Sequence, residues 1–174
     1  MRLIQLRAKE MNANELFHLA RETRRLTRAA GCLLIVNDRV DIALAAQADG
    51  VHLGQEDLPL AIARKLMGEK IIGISTHDQA QAEEAERGAA DYIGFGPIFE
   101  TTTKGTGYSP RGLALLRGIR KAVRLPIVAI GGITEKNITQ VWEAGAAAAM
   151  ISDLIGVEDV AAKVRRLLAL RKSS

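Results

Sequence analysis

The sequence predicts an α/β chain of the (β/α)8 TIM-barrel type with parallel strands, in which seven strand–helix units are present. Three observations predict it. Short apolar runs of strand length alternate with stretches of helical periodicity from one end of the chain to the other. The strands are apolar on both faces, as strands are when helices cover both sides of a parallel sheet. Polar, chemistry-bearing residues follow the strands, where barrels of this type carry their sites. A doubly wound open sheet is the competing arrangement, but no Gly-rich fingerprint follows the first strand, which lowers a dinucleotide-binding reading.

Leu3-Ile-Gln-Leu-Arg7 is a short strand. A helix over 14–30 follows, with Leu16, Leu19, Leu26 and Ala30 on one stripe and Asn12/Glu15 as a capping-box start. Residues 32–36 form the next strand and 40–48 the next helix. Strand 51–53 leads to helix 58–67, ended by Gly68, and strand 71–75 leads to helix 78–87, ended by Gly88. Strand 92–95 opens a long loop before a helix starting at Ser109-Pro110, a favourable N-cap and first-turn pair. Strand 127–130 leads to a helix capped by Thr134 and ended by Gly145, and strand 147–151 to a last helix over 157–170. No linker or low-complexity segment interrupts the series, so residues 1–174 read as a single domain.

Composition narrows the class. Hydrophobic residues make up 48% but aromatics only 3%, so the core must be aliphatic and rich in small residues. The formal charge of +4 is modest. The basic run Arg21-Glu-Thr-Arg-Arg25 with Arg28 lacks interleaved aromatics and has helical spacing, so a solvated helix face is expected and nucleic-acid binding is not. The single Cys32 excludes an internal disulfide and reads as a buried, inert thiol. No signal peptide or membrane span is visible, and a soluble cytoplasmic protein is expected. A homo-oligomer is compatible with the sequence.

The strand exits carry phosphate-type chemistry. Asp38 and Asp57 follow consecutive strands, and two carboxylates match what Mg²⁺ takes from a protein before water and substrate phosphates complete its shell. Each is also placed to be a helix N-cap. Gln5 and Arg7 alternate onto one face, inward in a barrel, where Arg7 needs an anionic partner, with Lys9 just beyond. Ser75 at the next exit is a ligand contact or a cap. His52 reads as a satisfied core or interface histidine, and His77 carries no catalytic role. The loop 96–107, with Thr101, Thr103 and Lys104, reads as a lid with phosphate donors. Gly131-Gly132 and Ile151-Ser152 follow the last two strands, where backbone amides in many barrels bind phosphate.

The motifs Gln5-Leu-Arg-Ala-Lys9, Asn37-Asp-Arg39, Gly50-Val-His-Leu-Gly-Gln-Glu-Asp57, Gly73-Ile-Ser-Thr-His77, Gly94-Phe-Gly-Pro-Ile-Phe99 with Thr101-Thr-Thr-Lys104, and Ala129-Ile-Gly-Gly-Ile133 resemble those of the thiamine-phosphate synthase family, in family order. The resemblance runs from the first residues to about Ile155. It implies a Mg²⁺-assisted transferase that joins hydroxymethylpyrimidine diphosphate to hydroxyethylthiazole phosphate, releasing diphosphate by a dissociative route. It implies Asp38 and Asp57 as metal ligands. Gln5, Arg7, Lys9, Asn37, Ser75 and Lys104 match positions around the pyrimidine and its diphosphate, with Arg7, Lys9, Lys104 and Ser75 on the catalytic side. Thr101, Thr103, Gly132, Ile151 and Ser152 match the thiazole-phosphate site. Two rival readings are a thiazole tautomerase-like paralogue and an inactive, truncated ligand-binding homologue.

Two departures from the family stand out. Glu100 occupies a position where the family often has Pro, and the family's first strand and helix are missing. In an eight-stranded barrel the missing strand would bridge 3–7 and 147–151, so a C-shaped sheet open between them is expected, with a natural start about 20 to 30 residues upstream, one βα unit.

Overall fold

The computed structural model describes residues 3–101 and 108–172. Seven strands alternate with helices: β1 Leu3–Leu6, α1 Ala13–Ala29, β2 Leu33–Asn37, α2 Val40–Ala45, β3 Gly50–Leu53, α3 Leu60–Met67, β4 Ile71–Thr76, α4 Gln79–Arg87, β5 Tyr92–Phe95, α5 Gly112–Ala122, β6 Ile127–Ala129, α6 Ile138–Glu143, β7 Ala147–Ala148, α7 Ser152–Ile155 and α8 Val160–Lys172. The chain divides into two compact units.

The first unit runs through Ser75 and includes Arg87–Asp91. Its strands pair in parallel and in chain order, with Leu3 opposite Leu33, Ile35 opposite Gly50 and Gly50 opposite Ile71. Leu34, Ile35, Val36, Val51, Leu53 and Ile72 are fully buried. Ala20, Ala43 and Ala63 are fully buried as well, which lets helices lie close on the strands. α1 starts at the expected capping box: Glu15 N–H donates to Asn12 Oδ1, and Asn12 N–H donates to Glu15 Oε2.

One device recurs in this unit. Asp49, just before β3, donates its N–H to Leu34 O and accepts the Leu34 N–H on Oδ2 at 2.7 Å. Asp91, just before β5, does the same with Ile72. Each carboxylate is backed by an arginine from an earlier helix, Arg24 of α1 at 2.7 Å and Arg64 of α3 at 2.6 Å.

The second unit comprises Thr76–Glu86 and the chain from Tyr92 onward. β5 pairs with β6 and β6 with β7, again in parallel. Ile93, Phe95, Leu116, Ile119 and Val141 form its fully buried core.

Several expectations are corrected. The buried stripe of α1 is Leu16, Ala20 and Thr27, whereas Leu26 is exposed. Cys32 is half-buried and precedes β2. α5 begins at Gly112, not at Ser109-Pro110, because the Arg111 and Gly112 amides are engaged by the Pro97 and Ile98 carbonyls. α6 begins at Ile138 after a 134–137 turn, closed by Thr134 N–H donating to Asn137 Oδ1, so Thr134 does not cap it. β7 spans two residues, and the 157–170 helix runs Val160–Lys172 behind the short α7.

Candidate active site

In the first unit, the exits of β2 and β3 bring two carboxyl groups together. Asp38 sits in the left-handed region (φ 64), which Asp tolerates better than most residues. Its N–H donates to His52 O at 2.8 Å, which ties the turn to β3. Asp57 folds back on its own strand exit, where its Oδ2 accepts the Gly54 N–H at 2.7 Å. The N-cap readings are not met: Arg39 and Pro59 hold the cap positions of α2 and α3, with no side-chain cap bond at either.

The electrostatics record the convergence. Burial pushes the Asp57 carboxyl above its ordinary value, and the hydrogen-bonded Asp38 carboxyl pushes it the same way. The Gly54 amide and the Lys9 ammonium pull against them. Lys9 Nζ lies 3.1 Å from Asp38 Oδ2. A cleft of about 190 Å³ opens beside Asp38, lined by Lys9, Asn37, Asp38 and Arg39 among others.

This donor set suits a hard divalent cation. Among the described residues no group of three or more His, Cys, Asp or Glu is placed to hold a metal. Mg²⁺ needs no such cage: it is held by one or two carboxylates and keeps its remaining positions for water and phosphate. A cation between Asp38 and Asp57 would also relieve the like-charge repulsion that ionising both entails.

Gln5 and Arg7 share a face at β1, but both are exposed. The expected burial of Arg7 is therefore corrected, and no desolvation cost demands a partner for it. Ser75, at the exit of β4, is half-buried. His52 is buried, and its Nε2 lies 2.9 Å from Ser75 Oγ, so this histidine is satisfied by a hydroxyl on the neighbouring strand. Gln55 Nε2 donates to Ser75 O at 2.5 Å. Sequence reasoning gave neither residue a role at the site. The available signal was a polar side chain inside an apolar strand two positions before its exit.

In the second unit, Gly131 and Gly132 both have positive φ, 96 and 63. A Cβ on Gly132 would strike Glu100 O and come within 2.8 Å of Phe99 Cβ, so this glycine is required by the packing of the 99–100 segment. Asn137 Nδ2 donates to Gly132 O at 3.0 Å and fixes the turn. Ile151 and Ser152 are exposed at the start of α7. Thr101 is half-buried. His77 Nδ1 lies 2.7 Å from Gly96 O, and its ring stacks on Tyr108 with centroids 3.9 Å apart. Thr103, Lys104 and most of the lid reading lie outside the described residues.

Comparison with known proteins identifies the family. The family model described as thiamine monophosphate synthase matches residues 1–154. The thiamine-phosphate synthase of Moorella thermoacetica is 56% identical over 166 residues, covering 94% of this chain and 79% of the relative. That of Chloroflexus aurantiacus is 50% identical over 169 residues, covering 97% and 78%. A solved structure of thiamine phosphate pyrophosphorylase from Pyrococcus furiosus superposes with a TM-score of 0.91 at 39% identity, covering 98% of this chain and 83% of that one. A 3-hexulose-6-phosphate synthase structure, 22% identical with a TM-score of 0.73, shares the fold alone. The chain belongs to the thiamine-phosphate synthase family of transferases.

Proposed function

We propose that this chain joins hydroxymethylpyrimidine diphosphate to hydroxyethylthiazole phosphate, giving thiamine phosphate and diphosphate, with Mg²⁺ held by Asp38 and Asp57. The observation that carries the reading is the acidic pair beside Lys9 at the β2 and β3 exits. A tautomerase-like paralogue, which moves only a proton, needs no diphosphate site of this kind. In keeping with this reading, the protein works in the cytoplasm on small phosphorylated molecules. Among the described residues no helix is long and apolar enough to cross a membrane.

Bound Mg²⁺ would supply charge stabilisation for the departing diphosphate. The chain's own residues supply the rest. Lys9, Arg7 and Lys104 add positive charge where negative charge builds as the carbon–oxygen bond breaks. Gln5, Asn37 and Ser75 orient the pyrimidine, and His52 fixes the hydroxyl of Ser75. The departing diphosphate leaves a resonance-stabilised pyrimidine methyl cation, which the thiazole nitrogen captures, so no enzyme nucleophile is required. Thr101, Thr103, Ile151 and the amides near Gly132 and Ser152 hold the thiazole phosphate. Holding the acceptor next to the cation supplies proximity.

The deciding experiment is a coupled assay of diphosphate release with both substrates and Mg²⁺. Release that requires all three supports the reading. Proton exchange on the thiazole without diphosphate release would establish the tautomerase, and binding without turnover an inactive homologue. Asp38→Ala should abolish Mg²⁺-dependent turnover while leaving the circular dichroism spectrum unchanged.

A further inference from the structure

Behind the second phosphate segment sits a buried lysine that the mechanism above does not use. Lys163, on α8, is only 7% exposed. Its Nζ lies 2.8 Å from Glu135 Oε2 and 3.0 Å from Asp153 Oδ2. Glu135 belongs to the turn that follows Gly131-Gly132, and Asp153 is the neighbour of Ser152. Asp153 Oδ2 also accepts the Glu135 N–H at 3.1 Å. The Gly132 carbonyl is held in turn by Asn137, whose Oδ1 accepts the Thr134 N–H. Polar contacts and the adjoining backbone therefore link the Gly132 turn to the Asp153 neighbour of Ser152, and the Lys163 ammonium bridges the Glu135 and Asp153 carboxylates.

A buried ion pair is weak evidence for stability, since well-packed apolar residues often do as well or better. Its best-attested use is to fix register. The two carboxylates hold the Lys163 ammonium above its ordinary range, and Lys163 holds the Glu135 carboxyl below its own. Both signs keep the charges on across the neutral range, so the contact is a permanent tie and not a pH switch.

We propose that Lys163 is a positioning residue for the thiazole phosphate: by drawing Glu135 and Asp153 onto one ammonium, it sets the spacing between the Gly132 and Ser152 segments that bind that phosphate. This rests on the reading that those segments form the phosphate site. A helix anchor alone would show in stability; a positioning residue shows in the affinity for one substrate.

The test compares Lys163→Met, Lys163→Arg and Ser152→Asp in the full chain, with KM for each substrate, kcat, and thermal melting. Lys163→Met should raise KM for the thiazole phosphate about tenfold or more, since small misplacements of positioning groups are costly. KM for the pyrimidine diphosphate should stay within about twofold, and Lys163→Arg should restore most of the loss. Equal rises in both KM values, or lower melting with both KM values unchanged, would overturn the proposal and leave Lys163 an anchor for α8. If Lys163→Met does not fold, Asp153→Asn decides. It keeps an acceptor for the Glu135 N–H but weakens the tie to Lys163, and the same selective rise is required of it. Ser152→Asp tests the underlying reading separately. It places an anionic group on an exposed position of the phosphate segment, so an unchanged thiazole-phosphate KM there would remove the site itself, whatever Lys163 does.

Discussion

Lys9 is held 3.1 Å from Asp38 while about half of its side chain, 51%, stays in water. Exposed pairs of this kind contribute about 0–1 kcal/mol to stability. Lys9→Ala should therefore shift the urea unfolding curve little. Loss of a donor aimed at developing charge typically costs about a hundredfold or more in rate, and a fall of that order in kcat/KM for the pyrimidine diphosphate is expected. A variant that unfolds easily but turns over normally would make Lys9 structural. At this scale the sequence showed residue types and their order after the strands, which placed Asn37, Asp38 and Asp57 at or just after the ends of β2 and β3. It did not show that Asp57 bonds the Gly54 amide instead of a helix end, nor that His52 answers to Ser75. Both depend on backbone turns and cross-strand neighbours that spacing along one chain does not encode. The burial expected of Arg7 was not met, since the residue is exposed: alternation gives which residues share a face, not whether that face is covered.

At the scale of elements, strands and helix types were legible because apolar runs and 3.6-residue periodicity are local. Starts were less so. α1 began as expected because its capping box is local; α5 starts later because the distant Pro97 and Ile98 carbonyls claim the Arg111 and Gly112 amides, and α6 starts later because Asn137 turns back onto the Thr134 amide. The paired aspartate clamps are likewise contacts between distant residues, although Ala48-Asp49 and Ala90-Asp91 stand in matching places before β3 and β5. Leu34 is fully buried and its N–H is answered by Asp49, which also neutralises Arg24. Asp49→Ala should cost about 1–3 kcal/mol, the penalty of leaving a buried donor unpaired. Asp49→Asn, which keeps an acceptor for Leu34, should cost less. Chemical denaturation of both separates them, and an equal loss would show that the Arg24 pair alone matters. These clamps lie at the strand starts, away from the exits, so neither variant should change a KM.

For the whole molecule, the fold class followed from the alternation and the aliphatic composition, and function followed from motifs that keep family order. On the proposed function a divalent cation would link stability to function, and its effect would have a definite sign. Asp57 in the folded chain gives up its proton above the ordinary carboxyl value of 3.8, first because it is buried and then because Asp38 is beside it. Between the unfolded and folded values the folded chain therefore holds more protons than the unfolded one. The stability tied to this group is full below the unfolded value and is lost as pH rises through the folded one. At neutral pH without a divalent cation, the buried Asp57 carboxylate works against the fold. Asp57→Asn removes that charge and still offers an oxygen to the Gly54 amide, so it should melt higher than the wild type in chelator. Mg²⁺ should reverse the order. An ion bound only by the folded state stabilises it by about 2.7 kcal/mol at a hundred times its dissociation constant, and each kcal/mol moves the melting point of a chain this size by about 2–4 °C. The wild type should gain those degrees and the variant should not. Equal gains in both proteins would place the ion elsewhere. A variant that melts lower than the wild type in chelator would mean that the Asp57 carboxylate is held by favourable contacts stronger than its burial and its acidic neighbour.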